Sequence, residues 1–318
     1  MSYVEHLREL HGLAAYDFPP PDGPGDLPEA GAVAWRLSVN PYASDAKENF
    51  GELWDRFLDT VDPAGVRALV VGQWGEPYDN DSGVVVRRLV DAKDRLTGLR
   101  AVFIGDLEME EAEISWIEQS DVTPVLDAYP LLEELGVRGG TGLRFPAVRH
   151  ERLRTLSFEA GGLPGEVVRG VAASELPALE YLELWFGVEE YGGDATVADL
   201  APILGGGRFP ALHHLGLRNS EIQDEIAAAV ASAPVVAQLR SLDLSLGVLT
   251  DEGLTALLDG QPLTHLTWLD LRHNFVSDAV AQRARAALEA AGVEVDLSET
   301  GEEWEDDGVV HRFTAVAE

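Results

Sequence analysis

The chain has 318 residues, 46% of them hydrophobic and 8% aromatic, which is enough apolar material for a continuous core. Acidic side chains outnumber basic ones by 56 to 23, and the net charge of −33 at pH 7 repels nucleic-acid phosphates and anionic membrane surfaces. Cysteine is absent, which excludes disulfides, thiolate metal sites and a cysteine nucleophile.

The first segment, MSYVEHLRELHG, lacks the basic and apolar regions of a secretion signal, and no run approaches the length of a membrane span. We therefore expect a cytoplasmic protein with neither a membrane nor a nucleic-acid partner. The acidity leaves two interpretations open. It either steers a basic partner toward the protein, or it reflects solubility and an acidic proteome.

Residues 16–31 are rich in Pro and Gly, which excludes regular structure there. Ala32 to Val39 alternates as a strand does, and apolar side chains recur at helical spacing within Ala46 to Asp59. A stack of repeats needs its first apolar layer covered, so we interpret residues 1–64 as an N-terminal cap.

The pattern L-x-x-L-x-L then recurs. It is clearest at Leu239, Leu242 and Leu244 and again, 27 residues later, at Leu266, Leu269 and Leu271. Each unit predicts a strand followed by a helix, and neither can bury its leucines unless copies stack. Units begin at Val66, Leu99, Leu132, Leu153, Leu179, Leu212, Leu239, Leu266 and Ala290. The predicted helices occupy Gly83 to Leu96, Thr123 to Tyr129, Glu166 to Ala173, Thr196 to Leu204, Glu221 to Ser232, Asp251 to Leu258 and Ser277 to Ala290, and the short unit beginning at Leu132 has no room for one.

These residues make the chain resemble the leucine-rich repeat superfamily, ribonuclease-inhibitor-like class. The resemblance implies an α/β solenoid, a horseshoe with a parallel concave sheet and helices on the convex side. We expect one domain over residues 1–318, with repeats over 66–298. Residues 299–318 would be an acidic loop followed by a capping segment whose alternation suits an edge-covering strand. The superfamily's ninth-position Asn is present at Asn274 and replaced by Gly in several units.

Three segments also resemble a narrower, uncharacterised family of bacterial cytoplasmic leucine-rich repeat proteins. They are ISWIEQSDVTP at 114–124, ELWFGVEEYGGDATVADLAPIL at 183–204 and NSEIQDEI at 219–226. Genes of that family tend to lie beside radical-SAM enzymes, an ATP-grasp-like protein and a hydrolase. The resemblance implies a supporting role in a biosynthetic or modification pathway, and it carries no catalytic residue.

Strand alternation sends the third, fifth and seventh positions of each unit to the concave face. Aromatic and Arg side chains there are the types that dominate binding energy. The candidate partner-binding residues on this face are Arg138, Glu159, Tyr181, Glu183, Trp185, His214, Arg218, Asp243, Trp268, Asp270 and Arg272. In the last unit the pattern places Glu294 in the row of Asp270 and Asp296 in the row of Arg272. In the alternative interpretation, the charged residues on this face do not bind a partner and only pair with one another across strands.

Long loops after three strands couple aromatic residues to acids and form a second candidate site, with Trp74, Tyr78 and Tyr191 as its binding residues. Trp116 and Phe186 in the same loops either join that rim or fold back as core. No motif indicates a metal, a cofactor or a catalytic centre, and an open sheet offers no pocket to tune an acid. We therefore expect not an enzyme but a scaffold for a basic or amphipathic protein or peptide. The alternatives are an enzyme inhibitor of ribonuclease-inhibitor type, and an enzyme or small-ligand binder using the loops. The oligomeric state is open.

Overall fold

The computed structural model describes residues 3–23, 25–41, 48–301, 303–306 and 308–318. Twelve of the described strands form one sheet in sequence order: β1 Glu9–Leu10, β2 Leu13–Asp17, β3 Ala34–Leu37, β4 Ala68–Val71, β5 Ala101–Ile104, β6 Glu134–Arg138, β7 Thr155–Glu159, β8 Tyr181–Gly187, β9 His214–Ser220, β10 Ser241–Asp243, β11 Trp268–Asp270 and β12 Glu294–Asp296. All neighbours pair in parallel except β1 and β2, which are antiparallel. The chain is therefore α/β with a long, mostly parallel sheet that grows by one strand per unit.

Helices follow most strands: α1 Phe50–Thr60, α2 Gly83–Asp91, α3 Thr123–Ala128, α4 Gly165–Ala173, α5 Val197–Leu204, α6 Gln223–Val230, α7 Asp251–Asp259 and α8 Asp278–Leu288. Single 3-10 turns lie at Pro63–Gly65, Ile114–Trp116, Glu189–Tyr191, Pro234–Gln238 and Glu289–Ala291. Each predicted helical segment contains a helix, and none lies between β6 and β7, as the short unit predicts. The predicted start of α1 at Ala46 lies outside the described residues. None of the described helices combines the length and apolarity needed to cross a bilayer.

The leucine pattern sets the register. Leu242 pairs with Leu215 on one side and Leu269 on the other, and all three are completely buried against the helices. The residues between them point to the opposite side of the sheet, because side chains alternate along a strand. We call that side the open face; across neighbouring strands it carries Glu134, Thr155, Tyr181, His214, Ser241 and Trp268.

Neighbouring units are also linked through their helix starts. Asp224 in α6 accepts hydrogen bonds from the backbone N–H of Thr250, at 2.7 Å, and from its hydroxyl, at 2.6 Å. Asp251 in α7 accepts the same pair from Ser277, both at 2.7 Å. Thr250 and Ser277 are the N-cap residues of the next helices, whose first N–H groups lack intrahelical partners. In these two units, an acidic side chain thus fixes where the following helix begins.

The open face is not bare along its whole length. The N-terminal segment, residues 3–13, lies across its first strands, and Leu10 packs with Ala68, Val70, Ala101 and Phe103 in a second, small apolar cluster. Asp106 anchors the segment by accepting from the N–H of Leu7 at 2.9 Å and from Arg36 at 2.7 Å. The expectation of an uncovered sheet is therefore wrong for β3 to β5, because residues outside the repeat pattern supply the missing apolar cover.

The chain ends in a separate antiparallel hairpin, β13 Trp304–Asp306 with β14 Val309–His311. β14 pairs with β13 and not with β12, so the expected edge-covering strand is absent from the described sheet. The last residues return along the loop side of the sheet, where the amide group of Asn219 donates to the carbonyl of Val316 and accepts from its N–H. Ala315 donates to the carbonyl of Leu246 at 2.9 Å. The tail therefore links the loops that follow β9 and β10.

Candidate functional site

Aromatic rings line one row of the open face between β8 and β11. The Tyr181 and His214 rings are stacked, with centroids 3.9 Å apart and planes 5° from parallel. Trp268 continues the row, with its ring 6.2 Å from that of His214 across Ser241, whose hydroxyl lies 2.7 Å from His214 Nδ1. Tyr181 and Trp268 are half-buried, so this row presents flat apolar surface to solvent.

A row of carboxylates runs beside these rings, and Glu183 is its first member. Glu183 accepts hydrogen bonds from the Tyr181 hydroxyl, from Trp185 Nε1 at 2.6 Å and from Arg218 at 2.6 Å. Burial alone would raise the pKa of Glu183, but the Arg218 guanidinium and these hydrogen bonds outweigh it and lower the pKa to about 2. Glu183 is therefore ionised and fixed in place.

Asp243 is the second carboxylate, two strands further along and almost completely buried. Its oxygens accept from the N–H of Ser245 at 2.9 Å and lie 3.1 Å from Arg218 Nε. Asp270 is its direct neighbour on β11. Burial raises the pKa of Asp243 to about 7, because the attraction of Arg218 is too weak to offset burial and the repulsion of Asp270 and Glu183. Two acids in one row thus have pKa values on opposite sides of the ordinary one.

Asp270 and Asp296 complete the row with one more guanidinium. Arg272 Nε lies 2.9 Å and Nη2 lies 2.8 Å from Asp270 Oδ2, and Nε lies 3.6 Å from Asp296. Four carboxylates, Glu183, Asp243, Asp270 and Asp296, therefore share two guanidiniums. His214 does not add a positive charge at pH 7, because burial lowers its pKa to about 4 despite the nearby Glu183. The row keeps an excess of negative charge beside exposed rings, an arrangement suited to recognising cations.

A second charged group lies where β5 and β6 end. Arg138 donates to Glu159 at 2.7 Å and lies 3.6 Å from Asp106, which is also within 3.4 Å of His6. Arg138 and Asp106 are almost completely buried. This group fixes the N-terminal segment on the sheet, so Arg138 has a demonstrable structural role.

The structure brings most of the predicted face residues together but buries six of them: Arg138, Glu183, Trp185, His214, Asp243 and Asp270. Trp185 is only 5% exposed, since the Arg218 guanidinium lies 4.9 Å from its ring centre. Arg138 is 3% exposed and Trp74 is 5% exposed, with its indole N–H bound to the carbonyl of Asn80. Alternation correctly predicts the direction of a side chain but not whether its neighbours cover it. These six side chains, and that of Trp74 in the predicted loop rim, are therefore not on the surface as predicted.

The aromatic residues of the predicted loop rim differ in how exposed they are. Tyr78 is 39% exposed, and the hydroxyl of the half-buried Tyr191 donates to Glu318 of the chain end. Trp116 is 56% exposed, so it lies on the surface as a rim residue would. Phe186 is buried and folds back as part of the core.

The predicted rows are shifted by two residues, which is one row, at the last strand. Trp268 pairs with Glu294 and Asp270 with Asp296, so Asp296 lies beside Asp270 in the carboxylate row. Counting from Ala290 missed this because Val295 pairs with Leu269, the fourth position of its unit, so the last unit has to be counted from Gly292.

The repeat pattern does not predict the groove that lies between the N-terminal segment and the sheet. It has a volume of about 470 Å³ and is lined by Leu7, Glu9, Leu10, Phe103, Glu134, Thr155, Ser157, Glu159, Tyr181, Glu183 and Arg218. The signal that could have found it is Leu7, Leu10 and Leu13, three apolar residues spaced by three that belong to no repeat.

Replacing Asp243 by Asn tests the electrostatics of the row. Because the pKa of Asp243 is higher in the folded chain than its ordinary value, the stability it contributes falls as pH rises from about 4 toward 7. The free energy of unfolding of Asp243→Asn relative to the unaltered protein should therefore increase over that range. Urea unfolding at pH 4.5, 6 and 8 measures it. Asp91→Asn, at an exposed position, is the control, and a pH-independent difference would contradict the prediction.

No protein family model matches the chain, and no curated protein is similar to it. Among solved structures, the chain is similar to the crystal structure of a Bacteroides fragilis protein determined by the Northeast Structural Genomics Consortium. The TM-score is 0.77 and the sequence identity 32%, over 84% of this chain and 74% of that chain.

Proposed function

The chain belongs to the same family as this Bacteroides fragilis protein. We propose that it is a leucine-rich repeat protein of the ribonuclease-inhibitor-like class, with a sheet that curves into a horseshoe. The 27-residue spacing of paired residues, such as His214, Ser241 and Trp268, supports this class. So does Asn274, whose side chain bonds to the backbone of Leu244, Leu249 and Leu271.

Its proposed function is to hold a basic or amphipathic protein or peptide against the open face between β8 and β12. One observation carries this proposal: half-exposed Tyr181 and Trp268 lie in a row beside four carboxylates that share two guanidiniums. Aromatic residues near the centre of an interface commonly contribute about 2 kcal/mol or more when a partner buries them. The carboxylates favour positive charge on that partner.

The overall charge points the same way. At −33 the protein attracts basic partners over a distance and repels phosphate-rich ones, so nucleic acids and anionic membranes are poor candidates. The cytoplasm, and a supporting role for a neighbouring biosynthetic or modification enzyme, complete the proposal. The supporting role comes from the resemblance of the sequence segments given above.

The experiment is an affinity purification from native cytoplasm followed by binding measurements with the partner obtained. Trp268→Ala should weaken binding at least tenfold, about 1.4 kcal/mol, without lowering the melting temperature. Trp304→Ala removes an equally large side chain, 56% exposed on the terminal hairpin, and should leave binding unchanged. Equal binding by both variants would overturn the proposed surface. A captured enzyme that loses its activity in the complex would instead identify an inhibitor.

A further inference from the structure

The groove between the N-terminal segment and the open face joins an apolar wall to an acidic floor. Leu7 and Leu10 from the segment and Phe103 from β5 form the wall. Thr155 and Ser157 of β7 supply hydroxyl groups, and Glu134 of β6 lies beside them. A groove of this kind holds an aliphatic chain along one side and a polar group at its end.

Glu134 is the unusual acid in this groove. Glu159 and Glu183 are each bound to a guanidinium, whereas the only cationic group within ion-pair distance of Glu134 among the described residues is the imidazole of His11, at 3.4 Å. Burial raises the pKa of Glu134, and His11 offsets only part of that effect. A positive charge placed in the groove would therefore stabilise a carboxylate that the protein leaves poorly compensated.

Next to Glu183, which lines the groove, a buried nitrogen atom of His214 makes no hydrogen bond to the described residues. The His214 side chain is 5% exposed, and its Nε2 has no hydrogen-bond partner among the described residues, although it lies 4.0 Å from Glu183 Oε2. Gly216 lies beside both groups, and a Cβ there would be 3.5 Å from Nε2 and only 3.0 Å from Glu183 Cγ. The Glu183 side of the groove thus has a buried hydrogen-bonding atom behind it that no described residue uses.

One alkylguanidinium group, that of Arg138, already lies beside the Phe103 wall of the groove. Arg138 places its guanidinium 5.5 Å from the centre of the Phe103 ring while it donates to Glu159. The guanidinium thus meets an aromatic side chain and a carboxylate, and Phe103 and Glu159 also line the groove.

We propose that this groove binds a lysine or arginine side chain of the partner, with the aliphatic stem against Leu7 and Leu10 and the cation at Glu134. The inference rests on the proposed function, because it names the part of the partner that enters beside the aromatic row. Glu9, which also lines the groove, adds a second negative charge near Glu134. The groove therefore selects a basic residue, whereas the aromatic row supplies contact area.

The test uses small probes and the full chain. Nα-acetylarginine amide and Nα-acetyllysine amide, added at millimolar concentration to ¹⁵N-labelled protein, should shift the amide resonances of Thr155 and Ser157. Nα-acetylnorleucine amide, which has a similar stem and no charge, should shift them at least fivefold less. The relative affinity of the two cationic probes decides between arginine and lysine.

Glu134→Gln keeps the shape of the side chain and removes its charge, so it should weaken binding of the cationic probes at least fivefold. Glu294→Gln removes the same charge from an exposed position at the far end of the open face, outside the groove, and should have less than a twofold effect. Equal effects of the two variants, or probe shifts that are absent from Thr155 and Ser157, would overturn the inference. The proposed function is tested separately, since Trp268→Ala can weaken capture of the macromolecular partner while Glu134→Gln does not.

Discussion

Leu244→Asp is expected to lower the free energy of unfolding by about 4 kcal/mol or more at pH 8. Leu244 is completely buried between the sheet and the helices, and its N–H donates to the carbonyl of Asp270 on the next strand. The substitution removes the apolar contacts of one unit and introduces a carboxylate with no partner there. Protonation neutralises that carboxylate in acid, so the loss should be smaller at pH 4.5.

Chemical unfolding of Leu244→Asp beside Leu131→Asp measures this effect. Leu131 is 48% exposed, so the same substitution there should cost less than about 1 kcal/mol. Similar unfolding of the two variants would show that Leu244 is not an inward position of the repeat, and it would contradict the register on which the open face is defined.

The leucine rows were predictable because a two-residue alternation inside a fixed period leaves little freedom. Each strand from β4 to β11 places its leucine or valine inward, and the absence of a helix after β6 follows from the length of one unit. Helix boundaries were less predictable. α2 ends at Asp91 rather than Leu96, and its last turns give way to irregular structure that no local residue pattern marks.

The site was predictable in membership but not in exposure. Alternation correctly brings Tyr181, Glu183 and His214 to one face, but the coverage of Trp185 depends on the conformation of Arg218, which lies 33 residues further along the chain. The N-terminal segment was missed for a related reason. Its contact with Phe103 joins residues more than 90 positions apart, and such a contact leaves no periodic signal in the sequence.

Two networks of buried charged residues fix the two parts of the proposed binding surface, the groove and the aromatic row. Asp106 and Arg138 hold the N-terminal segment in place and so form one side of the groove. Arg218 holds Glu183 and Asp243, which lie under the aromatic row. Neither network needs to be strongly stabilising for this role, because ion pairs in the interior can contribute specificity of geometry while burial offsets much of their attraction.

Arg218→Met should nevertheless destabilise the protein strongly and in a pH-dependent way, because it removes only the cation from a buried ion pair. Arg218 donates to Glu183 at 2.6 Å and to Ser245 Oγ at 3.0 Å, and its Nε lies 3.1 Å from Asp243 Oδ2. Removing it leaves two carboxylates buried without their cation, which commonly costs about 3 to 5 kcal/mol. We expect a loss of this size at pH 8.

The sign of the pH dependence follows from Glu183. Its pKa of about 2 in the folded chain means that it contributes stability above its ordinary pKa and that this contribution is lost as pH falls toward 2. Without Arg218 the cause of the lowered pKa is removed and burial raises the pKa instead, so the variant should gain stability on acidification. The difference between the two proteins should then shrink from pH 8 to pH 4.5.

Urea unfolding at both pH values measures this, with two matched variants. Arg283→Met breaks an exposed pair with Asp259, whose side chains are 48% and 62% exposed, and should cost less than about 1 kcal/mol at either pH. Adding Glu183→Gln to Arg218→Met should recover part of the loss at pH 8, because one unpaired charge is then removed. A loss no larger than that of Arg283→Met, or one equal at the two pH values, would show that Arg218 does not compensate the buried carboxylates.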